Sequence, residues 1–495
     1  MKRIVAAAAA AGLGLAALSA VPAGAAASPS TGVRGSVGWQ SCPRTFPAGM
    51  ECGMLAVPLD HADPAGRQIG IAVSRVRHTG PAAGYQGVLL VNPGGPGAAG
   101  REFAGSVAAQ LPPRLRAAYD IVGFDPRGVG ASRPALSCVP DYFSPVRPDY
   151  VPASPADEQA WLDRSRGYAN ACGRRYGALL EHLKTVDAAR DLENLRVALG
   201  HEKINYLGAS YGTYLGAVYA TLYPGRVRRM VLDSIVQPSR LWYGSNLDQD
   251  FAFDASVKSF FAWVASHDAV YHLGGTAAVV EKAYYALRGE LKAHPAHGIL
   301  GPDELDDTLQ LGGYLAAAWP LLARAWSSYA AKGDPTSLLS SYRTWGTSKE
   351  GEFAVYNAVQ CTDAAWTRDW PAWRADTARV YASAPYQAWS NTWYNAPCLF
   401  WPARAGTPVH LEARRGLPDM LMFQATLDAA TPYAGGLEMH QIFRGSRLVI
   451  EDGGRTHGVL QRGNACLDDK LNAYLATGAL PPDVSHCARL PDPVP

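Results

Sequence analysis

The regular part of the chain consists mostly of short apolar runs separated by stretches with helical periodicity. Apolar side chains recur at three- and four-residue steps in residues 186–199, which predicts an amphipathic helix. Six apolar runs predict short buried strands, at residues 87–92, 119–125, 204–208, 229–233, 419–425 and 446–451. Buried strands that alternate with amphipathic helices predict an α/β fold, with a mostly parallel sheet flanked by helices on both faces.

Two stretches depart from this alternation. Residues 50–60 and 68–77 are rich in β-forming residues and are separated by an Asp/Pro/Gly turn, so we expect an antiparallel opening pair. Residues 237–410 are rich in Trp, Tyr and Ala, with helical periodicity and no convincing strand. We therefore expect a catalytic domain formed by residues 28–236 and 411–495, with a largely helical cap at residues 237–410 inserted late in the sheet.

The N-terminus has the features of an export signal. Met1-Lys2-Arg3 precedes an Ala/Leu/Val-rich stretch, and small residues that suit signal peptidase follow it. A transmembrane anchor is the alternative, but an Ala-dominated stretch of this length is only weakly apolar. We expect residues 1–27 to be removed, leaving a secreted, extracellular protein without stable membrane association.

The cysteine pattern agrees with export, since an exported protein can keep disulfides. There are 8 cysteines, an even number. No C-x-x-C pair and no close Cys/His group occurs, so we expect no metal site. Pairing between sequence neighbours is the simplest expectation, giving Cys42–Cys52, Cys138–Cys172, Cys361–Cys398 and Cys466–Cys487.

The charge balance argues against a nucleic-acid partner. The formal net charge is +2 and charged residues make up 18% of the chain. Phosphate backbones require a concentrated Lys/Arg surface, and no such concentration is present.

Gly208-Ala209-Ser210-Tyr211-Gly212 matches the G-x-S-x-G pattern of a nucleophile elbow. The match alone is weak in a chain with 50 glycines. Its context strengthens it, because an apolar strand leads into the motif and a helical pattern at residues 214–222 leaves it. We expect Ser210 to be a nucleophile, the alternative being an ordinary glycine-rich turn.

A serine hydroxyl needs a base and an orienting acid, and in strand-turn-helix sites of this kind the order along the chain is Ser, acid, His. His457 follows the last predicted strand in a glycine-flanked loop, whereas His440 lies in a helical pattern and His486 in the tail. Asp428 follows the preceding strand, although an Asp there could instead cap a helix. The predicted catalytic triad is therefore Ser210, Asp428 and His457.

The oxyanion of a tetrahedral intermediate needs two preorganised N–H donors. Tyr211, the residue after the serine, supplies the first. The loop after residues 87–92 supplies the second, and we assign it to Gly95 because Pro96 has no N–H. A plain glycine turn that opens a helix is the alternative.

Four motifs resemble those of a known family. They lie at residues 92–97 (NPGGPG), 123–132 (GFDPRGVGAS), 208–216 (GASYGTYLG) and 426–432 (TLDAATP). In this order they resemble the tripeptidyl aminopeptidases of high-GC Gram-positive bacteria, which are secreted α/β-hydrolases related to proline iminopeptidases. The resemblance implies the same triad, no cofactor, and release of tripeptides from peptide substrates with a free N-terminus.

The implied activity requires a carboxylate in the cap to bind the substrate ammonium group. Asp363, Asp248 and Asp250 are the candidates, with Asp363 preferred, although each could instead be a solvated surface charge.

Two other functions remain open. An esterase or lipase-like hydrolase would use the same triad with an apolar acyl channel. A non-catalytic binding protein would normally have lost a triad residue, and none is missing here. Epoxide hydrolase and dehalogenase chemistry would need an Asp at the position of Ser210.

Overall fold

Within residues 35–495, ten strands form one twisted sheet. The computed structural model describes residues 35–495, so the predicted export signal at residues 1–27 lies outside the described residues. The strands are β1 (Gln40–Ser41), β2 (Glu51–Pro58), β3 (Gln68–Val76), β4 (Val88–Asn92), β5 (Asp120–Asp125), β6 (Ile204–Ala209), β7 (Val227–Asp233), β8 (Leu421–Ala425), β9 (Arg447–Asp452) and β10 (Val484–Ala488).

The strand order is β1-β2-β3-β5-β4-β6-β7-β8-β9-β10. Strands β1, β2, β3 and β5 pair antiparallel in that order, and every pairing from β5 through β4 to β10 is parallel. The expected mostly parallel sheet and its antiparallel opening pair are confirmed. Because the strands from β4 to β9 are parallel, the loops at their carboxyl ends meet at one edge of the sheet.

Helices cover both faces of the sheet. Successive residues of β4 point to opposite sides: Leu89 and Val91 pack with the helices Arg101–Gln110 and Ala465–Thr477, and Val88 and Leu90 pack with the helices Thr185–Ala198 and Tyr211–Leu222. The sheet-flanking helices are α1 (Arg101–Gln110), α2 (Pro113–Ala118), α3 (Pro155–Tyr176), α4 (Thr185–Ala198), α5 (Tyr211–Leu222), α16 (Ala434–Ile442) and α17 (Ala465–Thr477). Each fully buried Val or Leu contributes roughly 1.5 to 3 kcal/mol relative to an exposed one, which explains the unbroken apolar runs in the sequence.

The chain between β7 and β8 is helical. Its members are α6 (Tyr243–Ser266), α7 (Asp268–Tyr271), α8 (Ala277–Ala293), α9 (Pro302–Leu309), α10 (Leu311–Tyr314), α11 (Trp319–Lys332), α12 (Thr336–Ser341), α13 (Glu350–Asp363), α14 (Trp370–Tyr381) and α15 (Ala388–Asn395). Helices α6 to α12 share an apolar core, in which Trp319 and Trp326 are fully buried against α6 and α8. Helices α13 to α15 pack instead mainly with the apolar cluster on one face of the sheet.

The last strand, β10, was not predicted. It extends the sheet by pairing in parallel with β9. Of its five residues only Cys487 is buried, so the sequence carries no alternating apolar signal there. A disulfide to Cys466 on α17 fastens this exposed edge strand to the sheet.

All four disulfides join the expected sequence neighbours. The bridges are Cys42–Cys52, Cys138–Cys172, Cys361–Cys398 and Cys466–Cys487. Within residues 35–495 no helix is both long and apolar enough to cross a membrane.

Candidate active site

Ser210 lies in the sharp turn between β6 and α5. Its backbone has φ 57° and ψ −128°, in a region that side-chain-bearing residues rarely adopt. Gly212 permits the turn, because a Cβ there would lie 2.8 Å from the carbonyl oxygen of Asn92 on β4. Helix α5 can therefore begin directly after the serine and rest against the sheet, which holds the hydroxyl at the carboxyl edge.

Asp428 follows β8 and is completely buried. Its Oδ1 accepts hydrogen bonds from the backbone N–H groups of Ala430 (2.9 Å) and Thr431 (3.0 Å). Its Oδ2 accepts a third bond from the Thr431 hydroxyl at 3.0 Å. These three hydrogen bonds fix the orientation of the carboxylate.

His457 lies in the loop after β9, with its ring held by Asp428. Nδ1 lies 3.0 Å from each carboxylate oxygen of Asp428. The backbone N–H of His457 donates to the carbonyl of Tyr314 at 2.8 Å, which ties the loop to α10. Burial by itself would lower the pKa of His457, but the charge and hydrogen bond of Asp428 outweigh burial and raise that pKa. Because Asp428 occupies Nδ1, Nε2 is the nitrogen free to take up a proton.

The serine and the histidine are not hydrogen-bonded to each other in this structure. Within the described chain, the ring hydrogen bonds of His457 run from Nδ1 to Asp428 and, at 3.4 Å, to the Thr431 hydroxyl. Bonds between nucleophile and base are often long without substrate. The structure thus joins the predicted acid and base directly, and brings Ser210 to the same sheet edge.

Two residues that the sequence analysis missed hold the histidine loop. Asp233, at the end of β7, accepts the N–H groups of Val459 (3.0 Å) and Leu460 (3.1 Å). The Ser234 hydroxyl accepts the N–H of Gly458 at 2.8 Å. The position of Asp233 at the end of an apolar strand was the available sequence signal, but nothing in the sequence shows which loop it would contact.

The two predicted oxyanion donors lie beside the serine. Tyr211 is the first residue of α5, where an N–H has no acceptor within the helix. Gly95 has φ +108°, which favours glycine, and it lines the same cavity as Ser210 and Tyr211. At Gly94 a Cβ would lie 2.8 Å from the Cβ of Ser210, so this loop passes very close to the serine.

A cavity of about 320 Å³ opens at Ser210. Gly95, Tyr211 and Thr431 line its sheet side, and residues from α6, α9, α10, α13 and α15 line much of the remainder. Many of these residues carry amide or hydroxyl groups, as Asn246, Gln249 and Ser390 do. Groups of this kind can pair with peptide N–H and C=O groups.

None of the three carboxylates proposed for the substrate amine lines this cavity. Asp363 lies behind Tyr211, where its oxygens accept the Thr185 N–H (2.7 Å) and hydroxyl (2.5 Å), and burial raises its pKa to about 7. Asp248 pairs with Arg240 at the surface, at 2.7 Å.

Asp250, the third candidate, is buried beside Asn391, whose side-chain amide donates to it at 2.9 Å. The carboxylates that do line the cavity are Asp306, Asp307 and Glu352. Among residues 35–495 no group of three or more His, Cys, Asp or Glu is arranged to hold a metal ion.

The parallel sheet, the strained serine turn and the buried Asp–His pair define a serine hydrolase of the α/β-hydrolase fold. The tripeptidyl aminopeptidase of Streptomyces coelicolor is 43% identical over 486 residues, covering 95% of this chain and 90% of that protein. The chain belongs to the tripeptidyl aminopeptidase family. Residues 384–487 also match the family model described as TAP-like protein.

Two mycobacterial relatives are more distant. The serine protease Hip1 of Mycobacterium tuberculosis is 31% identical over 468 residues, covering 89% of this chain and 88% of that protein. Carboxylesterase B of the same organism is 33% identical over 478 residues, covering 91% of this chain and 89% of that protein. The relatives therefore include both a protease and an esterase by name.

Proposed function

We propose that this protein is a secreted serine exopeptidase that releases short peptides, most often tripeptides, from free N-termini. The observation that carries the proposal is the cavity at Ser210, which is lined by peptide-compatible polar groups and also contains carboxylates. The name of the Streptomyces relative supports the tripeptide length. The disulfides support an oxidising, extracellular location, with residues 1–27 acting as the export signal.

In the proposed mechanism the Ser210 hydroxyl attacks the scissile carbonyl carbon while His457 Nε2 takes its proton. Asp428 orients the imidazole through Nδ1 and stabilises the imidazolium that forms. The N–H groups of Gly95 and Tyr211 stabilise the oxyanion. When the intermediate collapses, the C–N bond breaks and His457 returns the proton to the leaving amine.

The second half of the reaction frees the bound peptide. The N-terminal fragment remains as an ester on Ser210, and His457 removes a proton from water as the water attacks that ester. In the second tetrahedral intermediate, held by the same two N–H groups, the C–O bond to Ser210 breaks while His457 returns its proton to the serine oxygen, which gives the free peptide acid and the serine hydroxyl.

The helical insertion at residues 237–410 has the proposed role of a cap. Helices α6, α9, α13 and α15 contribute the far walls of the cavity, while the parts before and after the insertion supply the proposed triad. A covered site admits a short, flexible peptide end and excludes a folded surface. This division supports a catalytic domain of residues 28–236 and 411–495.

The proposal is tested with Ser210→Ala and an activity-based fluorophosphonate. We expect the wild-type enzyme to be labelled at Ser210, and the variant to lose turnover of a chromogenic tripeptide amide by several orders of magnitude with an unchanged Tm. Labelling at a different serine would contradict the assignment.

A secreted carboxylesterase is the second candidate, favoured by the relative named Carboxylesterase B. An esterase would accept the acyl part of a substrate in an apolar channel, whereas the cavity walls here carry amides, hydroxyls and carboxylates. Comparison of kcat/KM for short acyl esters and tripeptide amides separates the two functions. The exopeptidase predicts a clear preference for the amide that carries a free N-terminus over its N-acetyl form.

A further inference from the structure

One wall of the cavity is a helical stripe that begins at an acidic end and finishes at the proposed catalytic histidine. Asp307, Gln310 and Tyr314 follow each other at steps of three and four, so they share one face of the nearly continuous stretch α9–α10, and all three line the cavity. The Tyr314 ring packs on His457 with centroids 5.7 Å apart. The stripe therefore connects Asp307 with the proposed reaction centre.

The acidic end has more carboxyl groups than cations. Three cationic side chains, Arg147, Arg288 and Lys292, pair there with five carboxyl groups, those of Asp149, Asp303, Glu304, Asp306 and Asp307. Burial raises the pKa of Asp306 to about 6 and also raises that of Asp307. An additional cation at this end would stabilise the ionised carboxylates.

Asp307 is the member of this group best placed to receive a cation. Its side chain keeps 18% of its surface exposed, compared with 9% for Asp306. Oδ2 accepts from Arg147 at 2.7 Å, and Oδ1 accepts from the Tyr150 hydroxyl at 3.1 Å. A carboxylate offers about four acceptor positions, so Asp307 can accept further hydrogen bonds.

A buried acceptor without a partner also lines the cavity. Gln387 is 6% exposed, and its Oε1 receives no hydrogen bond from the described residues. Gln387 lines the same cavity as Asp307, and the adjacent Tyr386 donates its hydroxyl to the backbone carbonyl of Asp306 at 3.3 Å. A buried carbonyl oxygen normally has a donor, and an ammonium group supplies three.

The spacing along the stripe matches the length of a short peptide. Asp307 and Tyr314 are seven positions apart, or about 10 Å at the helical rise of 1.5 Å per residue. Three extended residues also span about 10 Å. A peptide whose first nitrogen lies at Asp307 would then present its third carbonyl near His457.

We propose that Asp307 and Gln387 bind the ammonium group of the substrate, and that the stretch from Asp307 to Tyr314 sets the released peptide at three residues. This inference rests on the proposed exopeptidase function. Asp307 and Gln387 thus take the place of Asp363 as the partners of the substrate amine.

The test measures kcat/KM for a chromogenic tripeptide amide with a free and with an acetylated N-terminus. We expect the wild-type enzyme to prefer the free amine by about 30-fold or more, the scale of a broken buried ion pair. Asp307→Asn should reduce this preference to below about threefold. Gln387→Leu should reduce it by about tenfold, as expected for one hydrogen bond to a charged group. Asp248→Asn, a surface carboxylate of the same insertion, should keep the full preference.

Gln387→Leu guards against a folding defect, because the Gln387 Oε1 makes no hydrogen bond that the fold would lose. Product masses from a longer peptide provide the second readout. Wild-type enzyme should release tripeptides, and Asp307→Asn should release a mixture of lengths. The inference would be overturned if both variants kept the wild-type preference for the free amine over the acetylated N-terminus. It would also be overturned if Asp307→Asn still released only tripeptides. A wild-type enzyme that cleaves both substrates equally would instead contradict the proposed function itself.

Discussion

The protonation state of His457 depends chiefly on the buried carboxylate of Asp428, with a smaller contribution from the charge of Asp233. Asp428 contacts Nδ1 at 3.0 Å with both oxygens and raises the pKa of the imidazole against the opposing effect of burial. A general base acts in its neutral form, so activity should fall as the pH decreases through the raised pKa. The acid limb of the pH–rate profile should therefore lie above the ordinary histidine pKa of about 6.5.

Asp428→Asn tests this coupling. We expect kcat to fall by about 10⁴-fold, since the neutral amide no longer orients or stabilises the imidazolium. The acid limb of the residual activity should move to lower pH, because the charge that raised the histidine pKa is gone. Asp452→Asn is the matched control, as Asp452 pairs with His486 at 3.0 Å on the surface. An unchanged acid limb in Asp428→Asn would contradict the coupling.

Asp363 has a pH effect of a different kind. Burial raises its pKa to about 7, above the unfolded value near 3.8, so the folded state binds the proton more tightly. The contribution of Asp363 to the free energy of unfolding should then decrease as the pH rises between about 4 and 7. Asp363→Asn keeps a neutral group of the same shape next to Thr185. We expect the variant to have a flatter profile of Tm against pH over this range and a higher Tm than wild type at pH 8.

An equal slope of Tm against pH in the wild-type protein and in Asp363→Asn would show that other groups dominate the pH dependence of stability in this range. Asp376→Asn serves as the exposed control, because its pairing with Arg379 lies at the surface.

The residues proposed for chemistry could be identified from the sequence because each directly follows an apolar strand. Ser210, Asp428 and His457 come after β6, β8 and β9, and parallel strands bring those three loops to one edge. Asp307 and Gln387 follow no strand. They come from helices of the insertion that are distant in sequence, and only helix packing places them in one cavity, so the sequence analysis chose Asp363 instead.

At the scale of secondary structure elements, the close approach of α5 to β4 controls the geometry of the serine. A Cβ at position 212 would meet both the carbonyl oxygen and the side-chain oxygen of Asn92 at 2.8 Å. Neither atom is the end of a flexible side chain that could move away freely, since Asn92 is fully buried in the sheet. The helix would have to shift and would carry Ser210 with it.

Gly212→Ala should therefore reduce kcat/KM by about 100-fold or more, as expected when the nucleophile is displaced by about 1 Å. Gly289→Ala is the matched control in a helix, since a Cβ there meets no atom within 4 Å. The control should keep full activity and gain about 0.5 to 1 kcal/mol in the free energy of unfolding. Kinetics and thermal unfolding of both variants would show the difference, and full activity in Gly212→Ala would argue against a tightly packed elbow.

The strands were predictable at this scale because both faces of the sheet are buried, which leaves uninterrupted apolar runs such as residues 88–91 of β4. Helix α5 begins at Tyr211, earlier than the predicted residue 214, because the tight turn lets the helix start directly after the serine. Strand β10 had no such signal. It is held at the edge by backbone pairing with β9 and by the Cys466–Cys487 bridge, neither of which requires an apolar pattern.

At the scale of the whole molecule, the apolar cores of the sheet and the apolar core of the insertion serve different purposes. The cores on the two faces of the sheet fix the carboxyl edge on which the proposed triad stands. A separate core around Trp319 and Trp326 packs helices α6 to α12 of the insertion together, and α13 to α15 pack onto one face of the sheet. If this packing holds the proposed anchor Asp307 at a constant distance from Ser210, the packing of the insertion sets the length of the product.

A covered cavity with an anchor for the substrate amine predicts how the enzyme treats folded proteins. The first three residues of the substrate must enter the cavity. Each following residue spans at most about 3.6 Å of the distance across the cavity wall. A chain end therefore needs several unstructured residues to be cut. A stably folded protein whose N-terminal strand lies in a sheet should resist cleavage. The same protein with a flexible extension of about ten residues should lose tripeptides one after another, at least 100-fold faster, until the tail becomes too short.

Mass spectrometry over time should show a ladder with three-residue steps, and the Ser210→Ala variant should produce none. Cleavage within an internal loop of the folded substrate would contradict a site that measures from the N-terminus, because such a loop has no ammonium group to place at Asp307.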